Sequence, residues 1–321
     1  MNLRRLILNF VRQSVSLVLH SKLTVYSVEG EYDGNRLHVL IADDGSTLDY
    51  ISNLIFPEGS VISKKRSISA LKGTKLINSA ADLVVVGANL LLKDKYARRG
   101  FIIAPKWIQL FLPVDENPYT RLYNKGRQSR KYFKWMIRKA ESSSIHCEIV
   151  TDTGWLDEFY NKMYQPYALQ RFGNFAVVHK YQKIRRSFQR GAGIIAKKNG
   201  VPVAGTIIYR AGDTMHIPHI GVVDGDLSIV REGAAFAMDY YAVQLAHLIG
   251  CKRVDFGHSR PFHSDGTLQY KLNWHMDVEE DDDGVAVFAI TVPDQNGPAL
   301  KFLENNRFFH ITPNGVISPY E

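Results

Sequence analysis

The chain has 321 residues, which is long enough for two domains, and 45% of its residues are hydrophobic. This ordinary globular balance excludes global disorder, collagen and coiled coil. The two cysteines, Cys147 and Cys251, cannot build a disulfide framework and fit a reducing compartment. No uncharged apolar run approaches the roughly 18–20 residues of a membrane span. We therefore expect a cytoplasmic protein with a core of its own.

The charge of the chain is basic and unevenly distributed. Lysine and arginine number 40 against 32 acidic residues, a net charge of +8 that favours anionic partners. Residues 93–139 hold 13 cations and three acids, and residues 180–198 hold seven cations and no acid. Residues 277–283 carry six acids. For any one of these charged stretches, the alternative interpretation is an ordinary solvated surface.

Residues 1–20 predict a helix, because apolar residues recur there at helical spacing. They are Leu3, Leu6, Ile7, Phe10, Val11, Val15 and Val18. The fixed charges besides the chain terminus are Arg4, Arg5 and Arg12, and no clear cleavage site indicates a signal peptide. The helix either docks on its own protein or makes peripheral contact with anionic lipid at the inner membrane face.

We expect three segments: an N-terminal amphipathic helix over residues 1–24, a mixed α/β domain over 25–140, and a C-terminal domain over 141–321. Residues 119–140 predict a basic helix that ends the middle segment, in which we find no catalytic motif. The strand-like runs of the middle segment are Leu37–Ala42, Leu83–Val86, Phe101–Ala104 and Ile108–Leu112.

Aromatic residues interleave with the cations of residues 93–139. They are Tyr96, Phe101, Trp107, Tyr119, Tyr123, Tyr132, Phe133 and Trp135. Basic plus aromatic composition fits RNA binding. It also fits an ordinary packed helix with snorkelling lysine and arginine side chains, the interpretation we favour.

The second half predicts a regular succession of elements: helix, three antiparallel strands, loop, helix, strand, helix and hairpin. The Asn199-Gly200 pair is a strong hairpin signal, and Gly250 stands where a helix C-terminal glycine belongs. In order, the elements are a helix from Trp155 to about Ala168, strands Gly193–Lys197, Val201–Tyr209 and Thr214–Gly221, a loop to Gly233, helix Ala234–Ile249, strand Lys252–Phe256, a helix from Gly266 to about Trp274, and a hairpin of Met276–Glu280 with Val285–Thr291.

The loop before helix Ala234–Ile249 is a candidate anion site. A helix N-terminus offers unpaired N–H groups and the positive end of a dipole, and glycines let a ligand approach the backbone. Many strand-to-helix loops contain glycine, so an ordinary connection is the alternative. The candidate cofactor-binding residues are Gly221, Val222, Arg231 and Gly233.

The densest polar stretch of the chain runs from Val254 to Gly266 and leaves a predicted buried strand. Chemistry in α/β folds is often carried by polar side chains at such strand ends. Tyr270, Lys271 and Trp274 follow shortly after. We therefore look for candidate catalytic residues between residues 254 and 275.

These residues also carry a family resemblance. The run Asp255-Phe256-Gly257-His258-Ser259-Arg260-Pro261-Phe262, with Asp265-Gly266 and Tyr270-Lys271-x-x-Trp274, resembles the BioF2-like acetyltransferase domain, in the FemAB-like branch of the GNAT acyltransferase superfamily. Supporting matches are Phe159-Tyr160-x-x-Met163-Tyr164-x-Pro166, Arg171-Phe172-Gly173 and Gly200-x-Pro202-Val203-Ala204-Gly205. The resemblance is strong over residues 145–280, weaker over 80–145 and absent before 70.

The resemblance implies an α/β fold with a GNAT-like core in the C-terminal half, preceded by a reduced GNAT-like half. It implies a GNAT-type N-acyltransferase, either an acetyltransferase or a FemAB-like aminoacyltransferase, in cell-envelope, polysaccharide or lipid assembly. The donor would be acyl-CoA, the phosphopantetheine of an acyl carrier protein, or aminoacyl-tRNA. The acceptor would be a small-molecule or lipid-linked amine. The donor arm would lie between strands Thr214–Gly221 and Lys252–Phe256, with its pyrophosphate on the loop that follows the first of them.

Acyl transfer to an amine needs a general base, donors for the oxyanion and a proton or positive charge for the leaving group. The resemblance implies four catalytic residues, Lys271, Tyr270, Asp255 and His258, with His219 a weaker candidate base. We expect Lys271 at the mouth of the site, where it contributes little to packing. The implied substrate-binding residues are Tyr164, Tyr167, Arg171, His219, Ser259, Arg260 and Trp274.

Each of these residues also has a structural interpretation. Tyr270 can pack in a core, Lys271 can be solvated, and His258 and Arg260 can hold a turn. Asp265 suits a helix N-cap. The spacing of His258, His263 and Asp265 matches no standard zinc pattern, so we expect no metal. A non-catalytic GNAT-like protein that binds a lipid-linked glycan or a partner protein is the alternative function.

Overall fold

A computed structural model describes residues 22–43, 47–114, 127–173, 176–281, 286–293, 297–312 and 317–319. The predicted helix over residues 1–20 lies outside the described residues. The described strands are β1 (Lys22–Tyr32), β2 (Asn35–Asp43), β3 (Val61–Ser69), β4 (Leu83–Asn89), β5 (Ile102–Pro105), β6 (Ile108–Pro113), β7 (Ile145–Val150), β8 (Gly191–Lys198), β9 (Val201–Ala211), β10 (Thr214–Val222), β11 (Arg253–Ser259), β12 (Asp277–Glu280), β13 (Ala286–Thr291), β14 (Phe309–Ile311) and β15 (Ile317–Pro319).

The described helices are mostly short. A π-helical turn, Phe159–Tyr164, joins two of them, and 3-10 turns cover Ala70–Asn78, Leu90–Leu92 and Val223–Gly225. The α-helices are α1 (Leu48–Ile55), α2 (Lys93–Ala97), α3 (Arg127–Ser142), α4 (Gly154–Glu158), α5 (Gln165–Phe172), α6 (Tyr181–Phe188), α7 (Leu227–Arg231), α8 (Ala234–Leu248), α9 (Gly266–Asn273) and α10 (Pro298–Asn305).

The chain forms two compact units. Unit 1 takes the described residues of Met1–Ile108, His258–Gln269 and Glu279–Glu321, and unit 2 takes those of Gln109–Gly257 and Tyr270–Val278. These units do not follow the predicted boundary at residue 140. The difference has a physical cause: β13, near the end of the chain, hydrogen-bonds between β4 and β5.

Unit 1 is built on a mixed sheet in the order β3-β1-β2-β4-β13-β5. Successive side chains of a strand point to opposite faces of the sheet. In the central strands of this sheet the residues on both faces are apolar. Leu40, Ala42, Val84 and Val86 belong to one buried cluster. Val39, Ile41, Leu83 and Val85 belong to another.

Unit 2 is built on a second mixed sheet in the order β12-β6-β11-β10-β9-β8-β7. Strands β7 to β10 form an antiparallel meander. The predicted hairpin between β8 and β9 is confirmed, and Asn199 and Gly200 take the positive φ angles of 50° and 83° that its tight turn requires.

The parallel pair in this sheet is short. β10 and β11 are joined through α8, and they pair only at Thr214–Arg253, Met215–Val254 and His216–Asp255. Beyond His216, β10 pairs with β9, and β11 continues to Ser259 without β10 beside it in register. An antiparallel meander, a helix and a parallel strand that separates from its neighbour form the GNAT-like core that we expected.

Two details differ from the sequence prediction. Met276–Glu280 and Val285–Thr291 do not form a hairpin, because β12 lies beside β6 in one sheet and β13 lies between β4 and β5 in the other. The predicted loop from Val222 to Gly233 contains a 3-10 turn and α7, whose N-terminus is capped by the Asp226 side chain. The acidic stretch therefore connects the two sheets instead of turning back within one.

Candidate functional site

Lys271 lies beside the part of β11 that has separated from β10. Its Nζ donates a hydrogen bond of 2.9 Å to the carbonyl oxygen of Gly257, two residues beyond the last parallel pair. Gly257 has a positive φ of 70°, and Lys271 is only 5% exposed. The side chain therefore brings a positive charge into the interior of unit 2. The alternative of a solvated lysine was therefore wrong, and so was the expectation that Lys271 contributes little to packing.

A buried carboxyl group lies next to this lysine. Asp239, on α8, accepts a hydrogen bond of 2.7 Å from the Tyr270 hydroxyl. Burial raises the pKa of Asp239 to about 7, against the lowering effects of the Tyr270 hydrogen bond and the Lys271 and Arg171 charges. Burial and the Asp239 charge in turn raise the pKa of Tyr270 well above its usual value. Tyr270 thus keeps its proton, while Asp239 exchanges one near neutral pH.

Two predicted substrate-binding residues belong to the same neighbourhood. Arg171, at the end of α5, donates through Nη1 to the Tyr167 hydroxyl, and its guanidinium lies 5.5 Å from the Tyr167 ring centroid. The charge of Arg171 acts on Asp239, and that of Asp239 acts on Tyr167. The structure therefore brings Tyr167, Arg171, Tyr270 and Lys271 together around Asp239.

A second acid–base pair lies at the last paired position of β10 and β11. His216 Nδ1 is 2.7 Å from Asp255 Oδ2, which also accepts from Gln109 Nε2 at 2.8 Å. The backbone N–H of Gly257 donates to Asp255 Oδ1. Burial would raise the pKa of Asp255, but these three donors together lower it. Asp255 is therefore a fixed anion that orients His216, and not itself a base.

His216 is held in an orientation suited to proton transfer. When Nδ1 donates to Asp255, Nε2 of the neutral ring is left as the acceptor. The ring stacks on Tyr209 at 4.8 Å between centroids, and the Arg190 guanidinium lies 4.1 Å from the same Tyr209 ring. The His216 side chain is 24% exposed, so the group reaches solvent.

The residues around Asp239 and the His216–Asp255 pair flank β10 and β11, the two strands that separate. Asp255 and Phe256 point to opposite faces of β11 because side chains alternate along a strand. Phe256 packs on Trp274, which directly follows α9, the helix that holds Tyr270 and Lys271. Gly257 lies two residues, or about 7 Å, along β11 from Asp255. The His216–Asp255 pair and the hydrogen bond of Lys271 to Gly257 thus lie two residues apart along β11.

The predicted cofactor loop is closely packed by its own chain. A Cβ on Gly221 would lie 2.5 Å from backbone atoms of Met163 and Tyr164, and one on Gly225 would lie 2.7 Å from the Pro166 carbonyl oxygen. Val222 and Gly233 are buried, and Arg231 is exposed at the end of α7. The glycines here allow close contact between elements of unit 2.

The remaining predicted substrate residues of unit 2 are interior. Trp274 is fully buried among Phe133, Phe236 and Phe256. Tyr164 accepts from the His179 backbone N–H, and its ring lies against that of His219. Burial lowers the pKa of His219 to about 3, so this histidine is neutral and does not serve as a base at physiological pH.

Three predicted site residues belong to unit 1. His258 Nε2 lies 3.1 Å from Asp281 Oδ1, and Ser259 is buried. Arg260 stacks on aromatic rings of the same unit. Asp265 caps α9 by accepting from the N–H groups of Thr267 and Leu268, as the alternative interpretation expects. None of these contacts involves the groups around Asp239 or His216.

The aromatic residues of the basic stretch are core residues only in part. Tyr96, Phe101 and Phe133 are buried, whereas Trp135 is 53% exposed with Lys139 Nζ 4.5 Å from its ring centroid. Tyr119 and Tyr123 lie outside the described residues. Three of the six described aromatic residues are thus buried, and of these three only Phe133 lies on the basic helix α3.

The described residues contain no group of three or more His, Cys, Asp or Glu side chains that could hold a metal ion. Within the same residues, no helix combines the length and the apolar character needed to cross a membrane.

Solved structures of similar fold cover nearly the whole chain at low identity. One is FemX, with a TM-score of 0.43 and 12% identity over 92% of this chain and 93% of that chain. Another is L-PGS from Bacillus licheniformis, with a TM-score of 0.41 and 10% identity over 91% of this chain and 94% of that chain. A third is a GCN5-related N-acetyltransferase from Kribbella flavida, with a TM-score of 0.33 and 14% identity over 93% of this chain and 98% of that chain. Likeness at this level bears on neither activity nor substrate.

No family model matches the chain, and no curated protein matches its sequence.

Sequence reasoning missed Asp239, His216 and Gln109. Asp239 is an isolated acid in an apolar helix, Ala234–Leu248, and this pattern is the feature of the sequence that indicates a buried carboxyl group. His216 precedes a β-bulge that contains Pro218, and only the register of β10 against β11 places it opposite Asp255. Gln109 approaches Asp255 from the neighbouring strand β6, far away in sequence.

Proposed function

We propose that unit 2 transfers an acyl or aminoacyl group from an activated donor to an amine. The observation that carries this proposal is the separation of β10 from β11 after three pairs, with His216 at the last pair and Lys271 at the separated segment. The donor's acyl-bearing arm lies between the two strands. A thioester of CoA or of an acyl carrier protein fits this arrangement, and so does an aminoacyl ester of tRNA.

In this proposal His216 is the general base. Its Nε2 takes the proton of the attacking amine, while Asp255 holds the ring and balances the imidazolium charge that develops. Lys271 supplies the positive charge that the carbonyl oxygen or the leaving group requires. Tyr270 and Arg171 act through Asp239, whose charge state sets the electrostatic potential at Lys271. Tyr270 is thus a positioning residue here and Lys271 the contact residue.

The alternative function, a non-catalytic binding protein, is favoured by one observation. The space beside Gly221 and Gly225 is filled by neighbouring backbone, and the loop holds three acids, Asp224, Asp226 and Glu232, against Arg231. Such a loop is a poor cradle for a pyrophosphate. This favours a donor that does not depend on that loop, or a unit that binds without transferring.

Ligand-dependent stability separates the two functions. Acetyl-CoA, longer acyl-CoAs and deacylated tRNA are added to the purified protein, and the melting temperature is followed, since a ligand at 100 times its Kd stabilises by about 2.7 kcal/mol. Products formed with an amine panel are then identified by mass spectrometry. We expect one donor to stabilise the protein and to acylate an amine.

A matched pair of histidine variants tests the assigned base. His216→Ala should abolish turnover and leave donor stabilisation intact, whereas His146→Ala, an exposed histidine on β7, should leave both unchanged. If His216→Ala turns over at the wild-type rate, the base assignment is wrong. Stabilisation by a donor without any product would support the binding protein instead.

A further inference from the structure

The carboxyl ends of three strands in unit 1 meet at one edge of its sheet. β2 runs parallel to β4, and β13 runs antiparallel to both β4 and β5, so β2, β4 and β5 point the same way. Ligands of open α/β sheets bind beyond this edge. Here the edge carries buried charge, because Asp43 ends β2, Lys106 follows β5, and Lys106 Nζ lies 3.4 Å from Asp43 Oδ1.

Arg260 lies against the same group. Its guanidinium carbon is 3.8 Å from the Trp107 ring centroid and 4.5 Å from that of Tyr50. Its Nη1 donates to the Lys106 carbonyl oxygen at 3.3 Å. Rings at these distances stack on the planar guanidinium, which leaves its edge N–H groups for hydrogen bonding. Arg260, Trp107 and Tyr50 are each half-buried, so the Arg260 side chain is partly accessible to solvent.

Among the described residues, no carboxylate is bonded to the Arg260 guanidinium. Burial lowers the pKa of Arg260, which shows that its charge is partly desolvated. The two acids that act on it, Asp265 and Asp43, are engaged elsewhere: Asp265 caps α9 and Asp43 pairs with Lys106. Desolvated charges in proteins are ordinarily paired. Within the described part of the chain, Arg260 contacts two aromatic rings and a carbonyl oxygen, an arrangement that is typical of an anion-binding arginine.

A second observation points to the same place. Thr47 is fully buried, and its Oγ1 has no hydrogen-bond partner among the described residues. Thr47 Oγ1, Asp43 Oδ1 and Lys106 Nζ all lie where a Cβ on Gly87 of β4 would be. The absence of a side chain on Gly87 therefore makes room for a polar group at the end of β4 rather than for apolar packing.

We propose that unit 1 binds an oxyanion, the carboxylate or phosphoryl group of a ligand, at Arg260. The edge N–H groups of the guanidinium bind two oxygens of the anion, and Tyr50 and Trp107 fix its plane. This proposal does not depend on the transfer chemistry proposed for unit 2. It gives unit 1 a binding role of its own.

The test follows the Nε–H resonance of Arg260 in the full-length wild-type chain by ¹⁵N NMR. Sodium phosphate and, separately, sodium acetate are titrated at constant ionic strength. We expect a saturable shift with at least one anion: saturation with phosphate alone indicates a phosphoryl ligand, and saturation with acetate alone a carboxylate. Arg98, whose exposed Nε donates to the Asp94 carbonyl oxygen, is the control and should not saturate.

A pair of variants gives a second measurement. Arg260→Lys keeps the charge but loses the planar fork, so the rise in melting temperature caused by the effective anion should disappear. Arg98→Lys should retain it. Shifts of Arg260 that stay linear with both anions, and no larger than those of Arg98, would overturn the proposal. The wild-type titration decides this even if Arg260→Lys does not fold.

Discussion

Lys271 holds a positive charge in the interior of unit 2, bound to the Gly257 carbonyl oxygen. We expect Lys271→Met to lower transfer by about 10²-fold or more, the usual loss for one charge-stabilising donor. It should also lower the free energy of unfolding by about 1–3 kcal/mol, because a buried carbonyl loses its donor. Turnover and urea unfolding measure the two effects.

Tyr270→Phe is the matched variant. It keeps the ring that contacts Trp274 and removes only the hydroxyl that donates to Asp239. Its loss of activity should be smaller than that of Lys271→Met. Full activity in Lys271→Met, or a large loss in Tyr270→Phe alone, would reverse the assignment and make Tyr270 the general acid.

The buried carboxyl of Asp239 makes stability depend on pH. Its pKa in the folded chain is raised to about 7 from 3.8, so the folded state loses stability as pH rises from about 4 to 7. Asp239→Asn removes this slope and still accepts from Tyr270. Relative to wild type, the variant should gain on the order of 3–4 kcal/mol between pH 4 and pH 8. Urea unfolding across that range measures the difference.

Asp255 is the natural comparison, since its pKa is shifted the other way. The donors of His216, Gly257 and Gln109 stabilise the ionised form, so this contribution is complete above the unfolded pKa near 3.8 and is lost as pH falls through the lowered folded pKa. Asp255→Asn should destabilise at pH 7 and progressively less below about pH 4. Parallel pH curves for the two variants would show that at least one of the two carboxyl groups is not perturbed in the direction given.

At the scale of elements, local sequence signals were sufficient to predict a helix or a strand pairing wherever the residues that interact are close in sequence. The β8–β9 hairpin, α8 and its C-terminal Gly250 follow from turn chemistry and apolar patterning. The pairing of β13 with β4 could not be predicted, because nothing in either strand specifies a partner so far away. A single helix was predicted where α4, a π-helical turn and α5 stand, since the apolar spacing hardly differs.

The candidate site was predicted only in part for the same reason. Tyr270 and Lys271 lie in a motif of adjacent residues, which a sequence displays directly. Asp239 and His216 become part of a site only when α8 and β10 are placed against α9 and β11. Burial gives Asp239 its raised pKa, and no local pattern records burial by residues from another part of the chain.

The contact between β10 and the π-helical turn depends on Gly221. Gly221→Ala should lower the free energy of unfolding by about 1–3 kcal/mol or more, because the added methyl meets the Met163 and Tyr164 backbone, which cannot rotate away. Gly266→Ala is the control, since a Cβ at that helix N-terminus meets nothing within 4 Å. Denaturant unfolding compares them, and equal stability in both would show that the turn can move aside.

For the whole molecule, the net charge of +8 and the acid-free residues 1–20 motivate a prediction of weak binding to anionic vesicles. Partitioning onto vesicles of phosphatidylglycerol and phosphatidylcholine should fall as salt is raised, because the attraction is screened. Deletion of residues 1–20 should reduce it. If the deletion leaves partitioning unchanged, the segment has only a structural role, and the remaining cations account for any binding.

The position of β13 has a consequence for how the protein is made on the ribosome. β4 and β5 are synthesised before the residues of unit 2, but the strand that joins them, Ala286–Thr291, is synthesised after those residues. Until then both strands present unpaired hydrogen-bonding edges, which other chains can join. Unit 1 therefore completes its sheet after the residues of unit 2 have left the ribosome. A nascent chain arrested before residue 286 should need chaperones that a full-length chain does not.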